Sequence, residues 1–204
     1  MLQEGPGFID IDNVNGALSL CNYHNFQDEM ITRRIIEWQD LILDSKSFTD
    51  QAKLEKVNTF FNRMEYLNDI EHWGEKDYWS TPVEFIVCQT GDCEDFSIAK
   101  YFTLHAMGIS EEKLSLTYVK ALEINAHHMV LTYYSKPGAE PLILDNIVDI
   151  AKPASERKDL IPIYSINGTG LWLAGELGRG KLAGSSSQLK LWQDLLERMP
   201  GKKI

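Results

Sequence analysis

The sequence predicts an α+β fold, a helical lobe followed by a mostly antiparallel sheet. Three observations predict it. Apolar residues recur at helical spacing in the first third of the chain, as at Ile31, Ile35, Trp38 and Ile42. A third helical stripe follows Gly91. Beyond residue 113 the period changes from helical to alternating, as in Leu114, Leu116 and Tyr118. Helices first and strands afterwards describe an α+β chain.

Taken in order, residues 1 to 25 are rich in Gly, Asn and Asp and are read as irregular. A helix is expected from Asp28 to Leu43. A second runs from Asp50 to Tyr66, with Leu54, Val57, Phe61 and Met64 on one face. Residues 71 to 82 are aromatic and polar and are read as a connecting loop. The third helix carries Phe96, Ala99, Phe102 and Ala106, and Gly108 ends it. Strands are expected at 114–118, 128–132 and 141–147, with a turn at Ser135-Lys136-Pro137-Gly138. Another strand pair flanks Asn167-Gly168-Thr169-Gly170. Residues 174 to 187, with four glycines and three consecutive serines, are read as a mobile loop. A last helix carries Leu189, Trp192, Leu196 and Met199. The expected organisation is a single domain over 1–204, mainly helical over 1–75, with the catalytic helix and sheet over 76–204.

The chain has 204 residues, 44% hydrophobic and 25% charged, enough to bury a core without staples. Its 30 acidic and 20 basic residues give a formal charge of -10. That balance disfavours nucleic acid, which needs clustered Lys and Arg. It suits cations without specifying one. No apolar run is long enough to span a bilayer. The start lacks the basic and apolar regions of a signal peptide, so the chain is cytosolic or its leader was removed before residue 1. Three cysteines, Cys21, Cys88 and Cys93, are too few for a disulfide scaffold, and an odd count leaves at least one thiol free. Cys88 is read as a buried apolar residue, and the Cys21–His24 spacing as coincidence.

Cys93 stands apart. It lies in Thr90-Gly91-Asp92-Cys93-Glu94-Asp95-Phe96, at a helix start. Unpaired N–H groups there favour an anion, and the thiolate is the reactive form of cysteine. Its base is expected 35 residues on, at His128 in His127-His128-Met129-Val130-Leu131. Adjacent strand residues face opposite ways, so at most one of the two histidines meets the thiol. His128 adjoins the apolar run directly, and His127 remains an alternative. Asp145, in Leu142-Ile143-Leu144-Asp145-Asn146, ends a hydrophobic strand, where a carboxylate needs a partner. An imidazole N–H is a natural one, and it fixes the ring's tautomer. Each residue alone has a bland reading: a small thiol, a strand-edge histidine, a turn acid. Their order on helix, strand and next strand outweighs it. The second oxyanion donor is open between Gln89 and Trp79, beside the Cys93 backbone N–H.

Asp92, Glu94 and Asp95 crowd this thiol. A carboxylate about 4 Å from a thiolate opposes it by about 4 kcal/mol at an effective dielectric of about 20. A helix terminus returns only about 0.3–1 kcal/mol. Either the acids point into water as caps, or a cation offsets them. Calcium takes several carboxylate and carbonyl oxygens.

The Gly91-Asp92-Cys93-Glu94-Asp95-Phe96 and His127-His128-Met129-Val130-Leu131 runs, with Trp79-Ser80-Thr81-Pro82 and Leu144-Asp145-Asn146, resemble the bacterial transglutaminase-like cysteine proteinases. The resemblance covers about residues 77 to 147. It implies a papain/transglutaminase-like fold and a Cys93, His128, Asp145 triad. It also implies calcium held by Asp92, Glu94 and Asp95. It further implies a periplasmic endopeptidase that cleaves a large surface adhesin near its N-terminus, at paired alanines, and so promotes biofilm release. Control by the periplasmic domain of an inner-membrane cyclic di-GMP receptor goes with it. Two other functions keep the same residues: an acyltransferase or transglutaminase using this triad, and a non-catalytic calcium-binding module.

Overall fold

The computed structural model describes residues 11–21, 28–175 and 178–199. Its helical part comprises α1 (Ile11–Leu20), α2 (Asp28–Leu43), α3 (Asp50–Phe61), α4 (Asp69–His72), α5 (Pro82–Cys88) and α6 (Cys93–Ala106). Two short strands, β1 (Glu65–Tyr66) and β2 (Thr90–Gly91), lie within it and pair in parallel. The sheet follows: β3 (Leu114–Ala121), β4 (Ala126–Tyr133), β5 (Leu142–Leu144), β6 (Lys152–Pro153), β7 (Leu160–Ile166), β8 (Leu171–Gly175) and β9 (Gly178–Gly184). Helix α7 (Lys190–Arg198) ends the order. The seven strands are arranged β6-β5-β4-β3-β7-β8-β9. Every neighbouring pair in this sheet is antiparallel.

Helix α6 is the centre of the molecule. Its residues from Asp95 to Leu104 are all buried, so it is covered on every side. The Trp38 indole N–H of α2 donates to Thr103 Oγ1 at 2.8 Å. Trp192 of α7 stacks on Phe102, centroids 5.9 Å apart. Below α6, Leu116, Met129, Leu131 and Leu144 join one apolar core with the helices. Val119, Ala121, Val130, Ile143 and Leu160 form a smaller cluster. Strand alternation puts that cluster on the opposite face of the sheet. Between these apolar residues Thr117 bonds Thr132 at 2.9 Å and Ser165 at 3.0 Å, which satisfies three buried hydroxyls.

Helix α5 is placed by its caps. Thr81 and Glu84 form a reciprocal capping box, and Pro82 fills the first turn. Gln89 closes it in the left-handed region, φ 64°. That turn sends the chain into β2 and then to Cys93. Arg198 of α7 clamps the same segment, donating to Glu84 and to the Trp79 carbonyl.

The structure corrects five expectations. Residues 11–20 are helical; Val14, Ala17, Leu18 and Cys21 keep helical spacing and pack on the core. The remainder of the 1–25 segment, His24 included, lies outside the described residues apart from Cys21. The second helix stops at Phe61, and Glu65–Tyr66 become the strand that aligns with Thr90–Gly91. The expected loop at 71–82 begins inside α4. The expected mobile loop contains β9, which pairs with β8. Its glycines allow close approach, since a Cβ on Gly180 would meet the Ala174 carbonyl oxygen at 2.7 Å. Residues 176 and 177 lie outside the described ones. Finally, Cys88 is bonded to Cys21 across 67 residues, tying α1 to the end of α5. Cys93 is the free thiol among the described residues.

Candidate active site

Asp92 is the N-cap of α6, so Cys93 occupies the first helical position. The first turn lies along β4. The Ser97 hydroxyl contacts both the Cys93 carbonyl, at 2.9 Å, and the Met129 carbonyl, at 3.1 Å. Met129 is the residue after His128, so the Cys93 turn is registered on the strand beside that histidine.

His128 is buried, and its Nε2 lies 2.8 Å from Asp145 Oδ1. Asp145 is also buried, at the end of β5. Its Oδ1 accepts the Ile147 N–H at 3.0 Å, and its Oδ2 accepts Arg157 Nη2 at 2.8 Å. Burial pushes the Asp145 pKa up. The hydrogen bond and charge of His128, the Ile147 N–H and Arg157 overcome this and hold it down to about 2. A carboxylate so fixed orients the ring and leaves Nδ1 as the ring nitrogen available to a thiol. His127, the alternative, is exposed and stacks on Tyr118. No carboxylate holds it among the described residues.

The Cys93 thiol donates instead to Glu94 Oε2 at 3.0 Å, and no hydrogen bond joins it to His128. Burial, then the charges of Glu94 and Asp92, push its pKa well up. The Met129 backbone N–H opposes this. The repulsion expected from the flanking acids is therefore present in the structure.

Those acids have company. Three overlapping sets place ligand atoms within 4.8 Å of one another: Asp92, Cys93 and Glu94; Asp69, Asp92 and Asp95; Asp69, Asp77 and Glu94. Burial raises Asp69 to about 7, Asp92 to about 9 and Glu94 to about 7, with neighbouring acids adding to the rise in Asp69 and Asp92 and hydrogen bonds opposing it in Glu94. Asp95 is pushed well up by burial and Asp92, although its oxygens accept the Ser80 N–H at 2.7 Å and the Asp92 N–H at 3.2 Å. Asp69 Oδ2 accepts the Tyr78 N–H at 2.6 Å. Asp69 Oδ1 and Asp92 Oδ1 are buried without partners. Orphaned carboxylate oxygens facing other carboxylates are what a hard divalent cation satisfies. The donor set fits calcium.

Sequence reasoning missed Asp69, Asp77 and Arg157. Asp69 and Asp77 sit in the stretch between α3 and α5, and only the fold brings them to Glu94. Arg157 showed no signal, being 12 residues past its partner in an irregular segment. A second support was also missed. Buried Lys100 of α6 donates to Asn62 Oδ1 at 2.7 Å. Asn62 Nδ2 then donates to the Asp145 carbonyl at 2.9 Å and to Asp149 Oδ1 at 3.0 Å. Burial lowers Lys100 to about 7, and Asp145 and Asp149 act against that. One amide thus joins α6 to the loop that holds the partner of His128. As for the oxyanion candidates, Trp79 is buried, and the unpartnered Gln89 Nε2 belongs to a residue lining a cavity with Arg34, Phe60 and Arg63.

Comparison with known proteins identifies relatives of this chain. The family model of the bacterial transglutaminase-like cysteine proteinases (BTLCP) matches residues 31–163. EGTA-treated LapG of Legionella pneumophila is 42% identical, with a TM-score of 0.78, covering 95% of this chain and 100% of that one. Calcium-bound LapG of the same organism is 41% identical, with a TM-score of 0.74, covering 93% and 99%. No curated protein sequence matches the chain. The chain belongs to the bacterial transglutaminase-like cysteine proteinase family, and it is accordingly a cysteine protease with a transglutaminase-like α+β fold.

Proposed function

We propose that this chain is a calcium-dependent endopeptidase in which Cys93 is the nucleophile, His128 the general base and Asp145 the residue that orients the base. The observation that carries the reading is the buried His128–Asp145 hydrogen bond of 2.8 Å, one residue along β4 from the Met129 contact of the Cys93 turn. With Nε2–H donated to Asp145, His128 Nδ1 takes the thiol proton once Cys93 turns from Glu94. The thiolate attacks a peptide carbonyl. The Cys93 backbone N–H, at the open end of α6, faces the developing oxyanion. His128 then protonates the leaving amine, and water hydrolyses the acyl-enzyme. Asp145 stays ionised throughout, because Arg157 and the Ile147 N–H hold its charge.

Asp69, Asp77, Asp92, Glu94 and Asp95 would hold calcium. Bound there, calcium supplies the positive charge that offsets carboxylate repulsion of the thiolate. The LapG structures with calcium and with EGTA support calcium as the ion. The same relationship supports the finer reading: a large surface adhesin cut near its N-terminus at paired alanines, with control by the periplasmic domain of an inner-membrane cyclic di-GMP receptor. The Cys21–Cys88 disulfide suits the oxidising periplasm. No helix among the described residues is long and apolar enough to cross a membrane. The single-domain organisation over 1–204 is supported by one core that joins helices from both parts to the sheet.

The test incubates an adhesin N-terminal fragment with the chain, with and without a calcium chelator, beside Cys93→Ala. Cleavage is expected only for the wild-type chain with calcium. Cleavage by Cys93→Ala would remove Cys93 as the nucleophile. A labelled amine added to the same reaction separates hydrolysis from acyl transfer, since a transferase gives mostly labelled product.

A further inference from the structure

One feature of the sheet has no role in the chemistry above. On the face of β4, β3, β7 and β8 that carries Met129, four side chains line up across the strands. The His127 ring stacks on Tyr118, centroids 5.2 Å apart and planes 9° apart. Tyr118 stacks on Tyr164 at 5.0 Å and 21°. Tyr164 is in register with Leu173, which is 53% exposed. Tyr118 is in register with Met129, whose carbonyl shares the Ser97 hydroxyl with the Cys93 carbonyl. The ladder therefore begins on the strand that the Cys93 turn lies along and runs away from it.

The opposite lip is Tyr66 of β1, 57% exposed and in register with Gly91. Gly91 lies two residues before Cys93, so Tyr66 stands beside the Cys93 turn, and the charges of Cys93 and Glu94 reach both Tyr66 and Tyr118. Among the described residues, none of these three tyrosine hydroxyls has a hydrogen-bond partner in the protein. Buried tyrosines normally find one. Tyr118 and Tyr164 stack on one another and pack on the edge of the main core, and part of each of the three rings is open to solvent.

We propose that the His127–Tyr118–Tyr164–Leu173 ladder is the surface on which an extended substrate polypeptide lays its apolar side chains beside the scissile bond, with Tyr66 as the facing lip. This rests on the cysteine-protease reading of Cys93. The occupant is the substrate chain because the ladder starts on β4 at His127, two residues from the Met129 carbonyl that meets the Cys93 turn. Four strands at about 4.8 Å spacing span about 14 Å, the length of about four extended residues at about 3.3 Å each. Stacked rings offer apolar faces with no charge to pair, so the segment they favour is uncharged and apolar.

Two reagents that alkylate Cys93 test the ladder in the calcium-loaded full chain. One is benzyloxycarbonyl-Leu-Ala-Ala chloromethyl ketone, which carries a peptide. The other is chloroacetamide, which carries none. Tyr164→Ala is expected to slow the peptidyl reagent about three- to tenfold, the worth of one aromatic contact. It should leave the chloroacetamide rate unchanged. Tyr164→Phe keeps the ring and is expected to keep both rates. An unchanged peptidyl rate in Tyr164→Ala would overturn the proposal. So would an equal fall in both rates, which assigns the ring to the thiol's surroundings. If wild-type Cys93 reacts with neither reagent faster than an unfolded thiol, the nucleophile reading fails and the ladder falls with it.

Discussion

Replacing Asp145 by Asn removes one negative charge at almost constant volume. In the folded chain the carboxyl is held down to about 2, against an ordinary 3.8. That gap corresponds to about 2 kcal/mol of preference for the ionised form. The folded value is the lower one, so this stabilisation is complete above about pH 4 and fades as the pH falls toward about 2. Asp145→Asn is therefore expected to lose about 2 kcal/mol at neutral pH, and its deficit to shrink in acid. Arg157 retains Asp159 through bonds of 2.7 and 3.0 Å, so it is not left without a counter-charge. Urea denaturation of both chains at pH 7, 5 and 3 reads the difference. A deficit that stays constant down to about pH 3 would assign the loss to packing and not to the Asp145 charge. The same variant is expected to cut turnover by roughly 10⁴-fold through the wrong imidazole tautomer.

Four further outcomes follow from other contacts and from calcium. Cys21→Ser opens the loop between residues 21 and 88, and loop-closure entropy over a separation of 67 gives a loss of about 4 kcal/mol, read by denaturation with and without a reductant. Asn62→Leu breaks the link from Lys100 to the Asp145 carbonyl; it is expected to lower kcat more than KM, and an unchanged kcat would make the link purely structural. Asp69→Asn and Asp77→Asn, read by calorimetry, are each expected to weaken calcium binding, although both lie far from Cys93 in sequence. Calcium at about 100 times its Kd should stabilise the wild-type chain by about 2.7 kcal/mol, visible as a higher Tm.

What the sequence carried and what it hid divide along physical lines. Helix α6 was legible because Gly91 and Asp92 mark its start and Gly108 its end. Its full burial was not, since the stripe of Phe96, Ala99, Phe102 and Ala106 implies one apolar face, and Lys100 reads as a solvent-facing lysine. The partner of Asp145 was legible as a histidine, because a carboxylate at the end of an apolar strand needs one. Its second partner, Arg157, was not, because an arginine in an irregular segment has no pattern. Helix α1 was masked by local Gly and Asn content, and β9 by its glycines, which serve close packing against Ala174. The Cys21–Cys88 bond depends on two chain positions meeting in space. The same holds for Asp69 and Asp77, whose chemistry is carried by the fold.

Coupling of a thiol, a histidine and a cation in one site is what the proposed chemistry requires. The most direct measurement is the chloroacetamide alkylation rate of Cys93 at pH 7, with calcium and with EGTA, in the wild-type chain and in His128→Ala. At least a tenfold faster reaction is expected with calcium in the wild-type chain, with that gain lost in His128→Ala. Equal rates with calcium and EGTA, or a calcium gain that survives without His128, would contradict it.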